Sequence, residues 1–368
     1  MKTKYFSYKI NSLPKGCQYC VQGAKLVMFI TGLCPRNCFY CPLSEQKYKK
    51  DVIYADEWPV KNIKHIITEA KLINAQGAGF TGGDPLKKLW RTLFILKKLK
   101  KHFGKKFHIH LYTSFNLITE KTMEKLHKAG LDEIRFHPDL DNQTLWPKIE
   151  LARKYNWDIG IEIPLIPNKK KQTIKLVSYF KDKVNFINLN ELEIADSKHN
   201  LLTKLGYTPR DLYSSTVKGS FELGMQILKH LKNSKTNVHF CTAKLKDKVQ
   251  LANRLKRRAK NIKQPFDQVT KEGLLIRGAI FLKELTPGAG YFNKLKKLKH
   301  KSKYLKKLKK FQKHLKFKTQ IDQQKLRLLT SQTNINRYKN QIKKLKLVPT
   351  IIEEYPTYDS LEVDIQFI

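Results

Sequence analysis

The sequence predicts an α/β chain: a (β/α) barrel, full or partial, followed by a smaller, basic α+β domain. Three observations carry this. Between residues 26 and 193, six short strand-like runs alternate with segments of helical period, the pattern of a parallel sheet. These runs end on polar residues, at Thr31-Gly32, Thr81-Gly82-Gly83, Thr113-Ser114, His137, Glu162 and Asn188 to Glu191, and a barrel places its chemistry at the C-terminal ends of its strands. Beyond residue 272 the order changes to β-α-β-α-β-β and lysine dominates the composition.

Taken in order, residues 26–32 form an apolar run closed by Gly32, read as a buried strand, and a cysteine-rich loop fills 33–45. Val60, Ile63, Ile66, Ile67, Ala70 and Ile73 recur at helical spacing, predicting a helix over 58–76. Ala78-Gly-Phe-Thr-Gly-Gly reads as a strand running into a glycine turn. Helices over 86–102, 119–129, 144–155 and 171–182 then alternate with strands over 107–113, 132–137, 158–164 and 184–190. The pattern breaks after 195: a polar loop at 196–220, a helix at 221–232, a strand at 236–242 and a very basic helix at 245–261, which Gln264-Pro265 ends. The expected division is a Cys-x2-Cys segment at 1–25, a barrel at 26–262 and a lysine-rich domain at 272–368. That last domain has strands at 274–282, 325–330, 347–354 and 361–368. It also has one helix over 292–317, whose apolar face is Leu295, Leu298, Leu305, Leu308, Phe311 and Leu315.

The chain has 368 residues, with 73 Lys and Arg against 31 Asp and Glu, a net charge of +42. Its 41% hydrophobic content is enough for a core, which excludes a disordered chain. No run of about eighteen apolar residues exists, so no membrane span is expected. The basic start, Met1-Lys-Thr-Lys-Tyr5, lacks a following apolar stretch, so a cytoplasmic location is expected. So large a positive surplus points to a polyanionic partner, nucleic acid before a membrane surface; a proteome rich in lysine is the plainer account. Thirteen lysines lie between Lys294 and Lys318, and no acid appears from 285 to 321, so this run repels itself unless an anion faces it.

Six cysteines occur, and five lie within 25 residues, which in a chain without export signals favours metal ligation over disulfides. Cys34-Pro-Arg-Asn-Cys38-Phe-Tyr-Cys41 has the spacing C-x3-C-x2-C. Three thiolates on one tight loop cannot complete a tetrahedral zinc site, but they can hold three irons of a 4Fe–4S cube and leave the fourth open. The motif follows the first barrel strand and carries an aromatic residue, Tyr40, before its last cysteine. In all of this it resembles the radical S-adenosylmethionine (SAM) enzymes.

The resemblance covers roughly residues 20–193 and implies a partial (β/α) barrel of the radical SAM type. It implies Cys34, Cys38 and Cys41 as ligands of a 4Fe–4S cluster, SAM chelated to the open iron, an electron donor for the cluster, and Tyr40 against the adenine. In that family the reduced cluster cleaves SAM to methionine and a 5′-deoxyadenosyl radical, which abstracts a hydrogen. Thr81-Gly82-Gly83-Asp84-Pro85 resembles the family's Gly-Gly-Glu motif, which receives the SAM amino group through backbone oxygens; Asp84 stands where the family has Glu. Ser114, His137 and Glu162 correspond to strand ends that contact the ribose and methionine carboxylate. Asn188, Asn190 and Glu191 end the sixth strand and are expected to face the substrate. The opening Gly-Cys-Gln-Tyr-Cys and the run from Asn188 to Glu193 resemble archaeal proteins related to pyruvate formate-lyase activating enzymes.

Cys17 and Cys20 form a C-x2-C pair, and His239 and Cys241 lie on one face of a late strand. Together they suit structural zinc; Cys17, Cys20 and Cys241 alternatively suit an auxiliary iron–sulfur cluster, or Cys241 is a plain buried thiol. Three functions compete. Radical modification of tRNA or other RNA follows from the charge. Activation of a glycyl-radical enzyme, or modification of another protein, follows from the resemblance. A basic RNA-binding protein with a merely structural cluster is the non-enzymatic case, opposed by the open-site cysteine spacing.

Overall fold

A computed structural model of the chain describes residues 1–288 and 290–368. The residues fall into two compact units, Met1–Arg254 and Leu255–Ile368.

The first unit begins with β1 (Tyr8–Ile10) and the short helix α1 (Lys15–Val21), and then enters β2 (Lys25–Thr31). A two-residue turn joins β3 (Tyr54–Ala55) to β4 (Trp58–Pro59). The repeating part follows: α2 (Ile63–Leu72), β5 (Gly77–Gly82), α3 (Leu89–Phe103), β6 (His108–Thr113), α4 (Glu120–Lys128), β7 (Glu133–Phe136), α5 (Ile149–Arg153), β8 (Asp158–Leu165), α6 (Lys170–Phe180), β9 (Phe186–Glu191), α7 (Ser220–His230) and β10 (Asn237–Cys241). The strands make one sheet in the order β1-β10-β9-β8-β7-β6-β5-β2-β3-β4. The seven from β2 to β10 that lie inside β1 and β3 in this order are mutually parallel; β1 and β3 pair antiparallel at the two margins. The margins are not paired with each other, so the barrel is partial. Fully buried Leu26, Met28, Ile30, Phe80, Leu111, Ile134, Ile161 and Leu189 alternate along the strands and form its core with the covering helices.

Local chemistry explains where the elements depart from the expected bounds. The helix expected over 58–76 starts late, because Trp58-Pro59 pairs with β3 and Asn62 is the true cap, its side chain accepting from the backbone N–H of Lys64 and His65. The helix expected over 144–155 shrinks to α5 preceded by a 3-10 turn that carries Pro147. The basic helix expected over 245–261 is α8 (Ala243–Leu245), a π-helical stretch over 246–251 and α9 (Ala252–Ile262), capped by the Thr242 hydroxyl on the Leu245 N–H. Residues 1–25 are not a body apart: β1 pairs with β10, and α1 packs on β2, β5 and β6.

The second unit contains β11 (Gln268–Val269), β12 (Leu275–Leu282), α10 (Tyr291–Lys297), α11 (Lys301–His314), β13 (Gln320–Asp322), β14 (Arg327–Thr330), α12 (Gln332–Lys344), β15 (Leu347–Glu354) and β16 (Glu362–Phe367). Its sheet runs β13-β14-β12-β15-β16, antiparallel throughout, with β11 beside β12 and its own apolar core of Ile280, Phe281, Leu308, Leu328 and Ile335. The single helix expected over 292–317 is two helices, broken where Leu298 turns extended; a lysine run with no acidic partners one turn away gives the helix little to hold it there. No helix among the described residues is long and apolar enough to cross a membrane.

Candidate active site

A cavity of about 560 Å³ lies in the first unit, and every site residue singled out from the sequence lines it: Cys17, Cys20, Cys34, Cys38, Tyr40, Cys41, Gly82, Gly83, Asp84, Ser114, His137, Glu162, Asn188, Asn190, Glu191, His239 and Cys241. Its two ends are built differently.

The loop that carries Cys34, Cys38 and Cys41 leaves the C-terminal end of β2. Arg36 fastens it to the next strands, donating to the His137 carbonyl at 2.8 Å and to Asp139 at 2.9 Å. The far side of the loop is held by Leu201, whose N–H donates to the Phe39 carbonyl at 2.7 Å. All three thiols are free. Burial pushes the Cys34 thiol up to about 11 and raises that of Cys41, so ligation of a cation at this loop displaces protons. Three unpaired thiols on one loop facing one cavity fit the three-thiolate side of a 4Fe–4S cube.

Tyr40 and His137 have fixed roles. The His137 Nδ1 lies 2.8 Å from the Glu162 carbonyl, which can only accept, so Nδ1 carries the proton. Burial, with the Arg36 charge adding to it, lowers the His137 pKa to about 4, so the ring is neutral and its Nε2 accepts from the Tyr40 hydroxyl at 2.9 Å. The aromatic residue before the third cysteine is thereby oriented by the end of β7.

At the glycine turn, Gly82 has a φ of +146°, and a Cβ there would sit 2.2 Å from the Thr31 carbonyl oxygen; one on Gly83 would sit 2.5 Å from that of Leu33. The close approach that demands glycine is therefore the chain's own backbone, the start of the cysteine loop. Asp84, 1% exposed, accepts from the Thr113 hydroxyl (2.9 Å), the Ser114 N–H (3.1 Å) and hydroxyl (2.9 Å), and the Leu86 N–H (3.0 Å). Its carboxylate ties β5 to β6, and Ser114 is occupied in the same bond.

Deeper in, Arg135 is the hub. It donates from Nε to Glu133 at 2.5 Å and from Nη1 to Glu162 at 2.8 Å and to the Tyr112 hydroxyl at 3.2 Å; Nη2 lies 3.5 Å from the Cys17 sulfur. Glu162 also accepts from the Asn188 (2.8 Å) and Asn190 (3.0 Å) amides. Burial alone would raise the Glu162 carboxyl, but Arg135 and these amides hold it below the usual range. Glu191 accepts from the Ala243 N–H at 2.8 Å and from Arg210 at 3.3 Å.

The floor is α1. The Gly16 N–H donates to Glu133 at 3.1 Å, and a Cβ on Gly16 would meet Arg135 and His110, each at 2.6 Å. Lys25, Tyr112, Glu133 and His110 were not singled out from the sequence; the inward period of two in His108, His110 and Tyr112 was the available signal. His108, His110 and Glu133 bring ligand atoms within 4.8 Å of one another. Arg135 and Lys25 place positive charge against them, which opposes a cation there.

Residues 28–179 match the radical SAM superfamily. A protein of Methanocaldococcus jannaschii, named provisionally as a glycyl-radical enzyme activating enzyme, is 43% identical over 284 residues, 75% of each chain. Biotin synthase of Chromobacterium violaceum is 30% identical over 118 residues, 30% of this chain and 33% of that one. Among solved structures, the radical SAM methyltransferase TsrM of Kitasatospora setae, with tryptophan and a SAM analogue bound, aligns at 10% identity and a TM-score of 0.38; the alignment covers 74% of this chain and 60% of that one.

Proposed function

The chain belongs to the radical SAM superfamily, and we propose that its radical is directed at a protein, as in a glycyl-radical-enzyme activase or a related protein-modifying enzyme. It is a radical SAM enzyme whose cofactors are a 4Fe–4S cluster and SAM. The observation that carries the protein substrate is the 43% identity, across three quarters of both chains, to the relative named as an activating enzyme.

Cys34, Cys38 and Cys41 would hold three irons of the cluster. When bound, the cluster supplies the electron that cleaves the SAM sulfonium to methionine and a 5′-deoxyadenosyl radical. Arg36 fastens the cysteine loop to the end of β7, and the Asp84 N–H, donating to the Leu33 carbonyl at 2.8 Å, ties the glycine turn to the start of that loop. His137 orients Tyr40, and Arg135 with Asn188 and Asn190 holds Glu162 ionised in the cavity.

One observation favours a second reading, RNA as substrate. Lys306, Lys307, Lys309 and Lys310 are exposed on α11, and among the described residues only Lys307 of these four has an acidic partner, Glu284. The two readings separate in one experiment. Reduced enzyme and SAM are mixed with extract from a deletion strain, and 5′-deoxyadenosine is measured. The protein reading expects stimulation that survives RNase and is abolished when the extract is first digested with a protease that is then inactivated. Stimulation lost to RNase and kept after proteolysis would sink it in favour of RNA.

A further inference from the structure

Three cysteines stand outside the first loop. Cys17 and Cys20 are one turn apart on α1; Cys241 ends β10, packed against Val21 of α1, and all three line the cavity as free thiols. We propose that Cys17, Cys20 and Cys241 hold a second 4Fe–4S cluster, in the same cavity as the Cys34–Cys41 loop.

Spacing decides between a cluster and a single zinc ion. Zinc draws its ligands onto one small tetrahedron. Among the described residues, the ligand atoms that close to within 4.8 Å as a group of three are those of His108, His110 and Glu133; the three cysteines do not. Nor do Cys34, Cys38 and Cys41. Neither cysteine trio is drawn in to the span of one ion; a four-iron cube, whose ligand sulfurs stand farther apart, does not require that.

Charge points the same way. Lys25 is 9% exposed, and among the described residues it has no carboxylate partner; its Nζ lies 3.3 Å from His110 Nε2. Cys20, Tyr112 and Cys17, all able to carry negative charge, lie close enough to act on it, as does the opposing Arg135. A buried ammonium needs a counter-charge. A four-iron core bound by three thiolates is anionic and supplies one.

A nitrogen donor is also waiting. His239 Nδ1 and Asn188 Oδ1 are 2.8 Å apart, and the amide oxygen can only accept, so Nδ1 bears the proton and Nε2 keeps its lone pair. That Nε2 is buried with no partner among the described residues, on a ring 1% exposed beside the cavity. An oxygen accepting from one ring nitrogen and a free lone pair on the other is how histidine is presented to metals. It is the protein donor available to the fourth iron.

The proposal is independent of which macromolecule is the substrate, and iron counting tests it. Anaerobically reconstituted wild-type protein should carry about eight irons and eight sulfides per chain, two cubes rather than one. A variant with Cys34, Cys38 and Cys41 all changed to Ala should keep about four, and adding Cys17→Ser should take it to none. A wild-type count of about four that vanishes in the triple variant overturns the proposal, as does one zinc per chain in place of that iron. The wild-type count requires no variant to fold, so instability of the triple variant leaves the test standing.

Discussion

At Asp84, a single methylene separates two roles. Its carboxylate is filled by four bonds within the chain, which explains why aspartate serves where the family has glutamate: the shorter side chain reaches the Ser114 backbone from a site 1% exposed. Asp84→Ala should destabilise the fold by about 2–4 kcal/mol in chemical denaturation, because it orphans buried donors. Asp84→Glu, conservative if the group faced SAM, should instead cost about 1–3 kcal/mol by overpacking; a Glu variant of wild-type stability would refute the structural role. His137 gives a pH prediction. Its folded pKa of about 4 lies below the free value of 6.5, so the stability it contributes is full above 6.5 and is lost as pH falls toward 4. The loss is on the order of 3 kcal/mol. Denaturation midpoints measured from pH 7.5 to 4.5 should fall less steeply in His137→Gln than in wild type. At this scale the cysteine loop and glycine turn were legible because local spacing encodes them. Lys25, Tyr112 and Glu133 were not, because their partners come from strands far along the chain.

Elements were legible where hydrophobic period was unbroken, as for α3, α6 and the inner strands. They were misread where a local polar bond competes with period. Asn62 starts α2 inside a stretch that still looks helical before it, and Trp58-Pro59 is taken by β3. The π-helical stretch over 246–251 has no signature in composition; Lys246 and Gln250 within it line the cavity. In α11 only Leu308 among the helix residues is fully buried, so the helix is held by one anchor and a partly buried face. Leu308→Ala should therefore cost about 2–5 kcal/mol and expose α11 to proteolysis first. Retention of full stability and protease resistance would mean that the partly buried face suffices.

The molecule as a whole consists of two units, each with its own sheet and core. Residues 255–368 expressed alone should fold cooperatively, with a single sigmoidal melt by circular dichroism; a non-cooperative melt would show that the core around Phe281 and Leu308 is insufficient. The alternation of strands and helices made the barrel readable in advance, since each βα unit is local. What closes the cavity was readable only in part: the cysteines mark α1 and β10 as partners, but nothing in the sequence marks the bond from Gly16 of α1 to Glu133 of β7. That placement has a consequence for the order of manufacture. As the chain leaves the ribosome, the loop from Cys34 to Cys41 finds the Gly82–Asp84 turn after fewer than a hundred residues, whereas Cys17 and Cys20 are separated from Cys241 by more than two hundred. The Cys17, Cys20 and Cys241 side of the cavity must therefore stay unfinished through most of synthesis, until β10 emerges, whereas the first loop can meet its turn early.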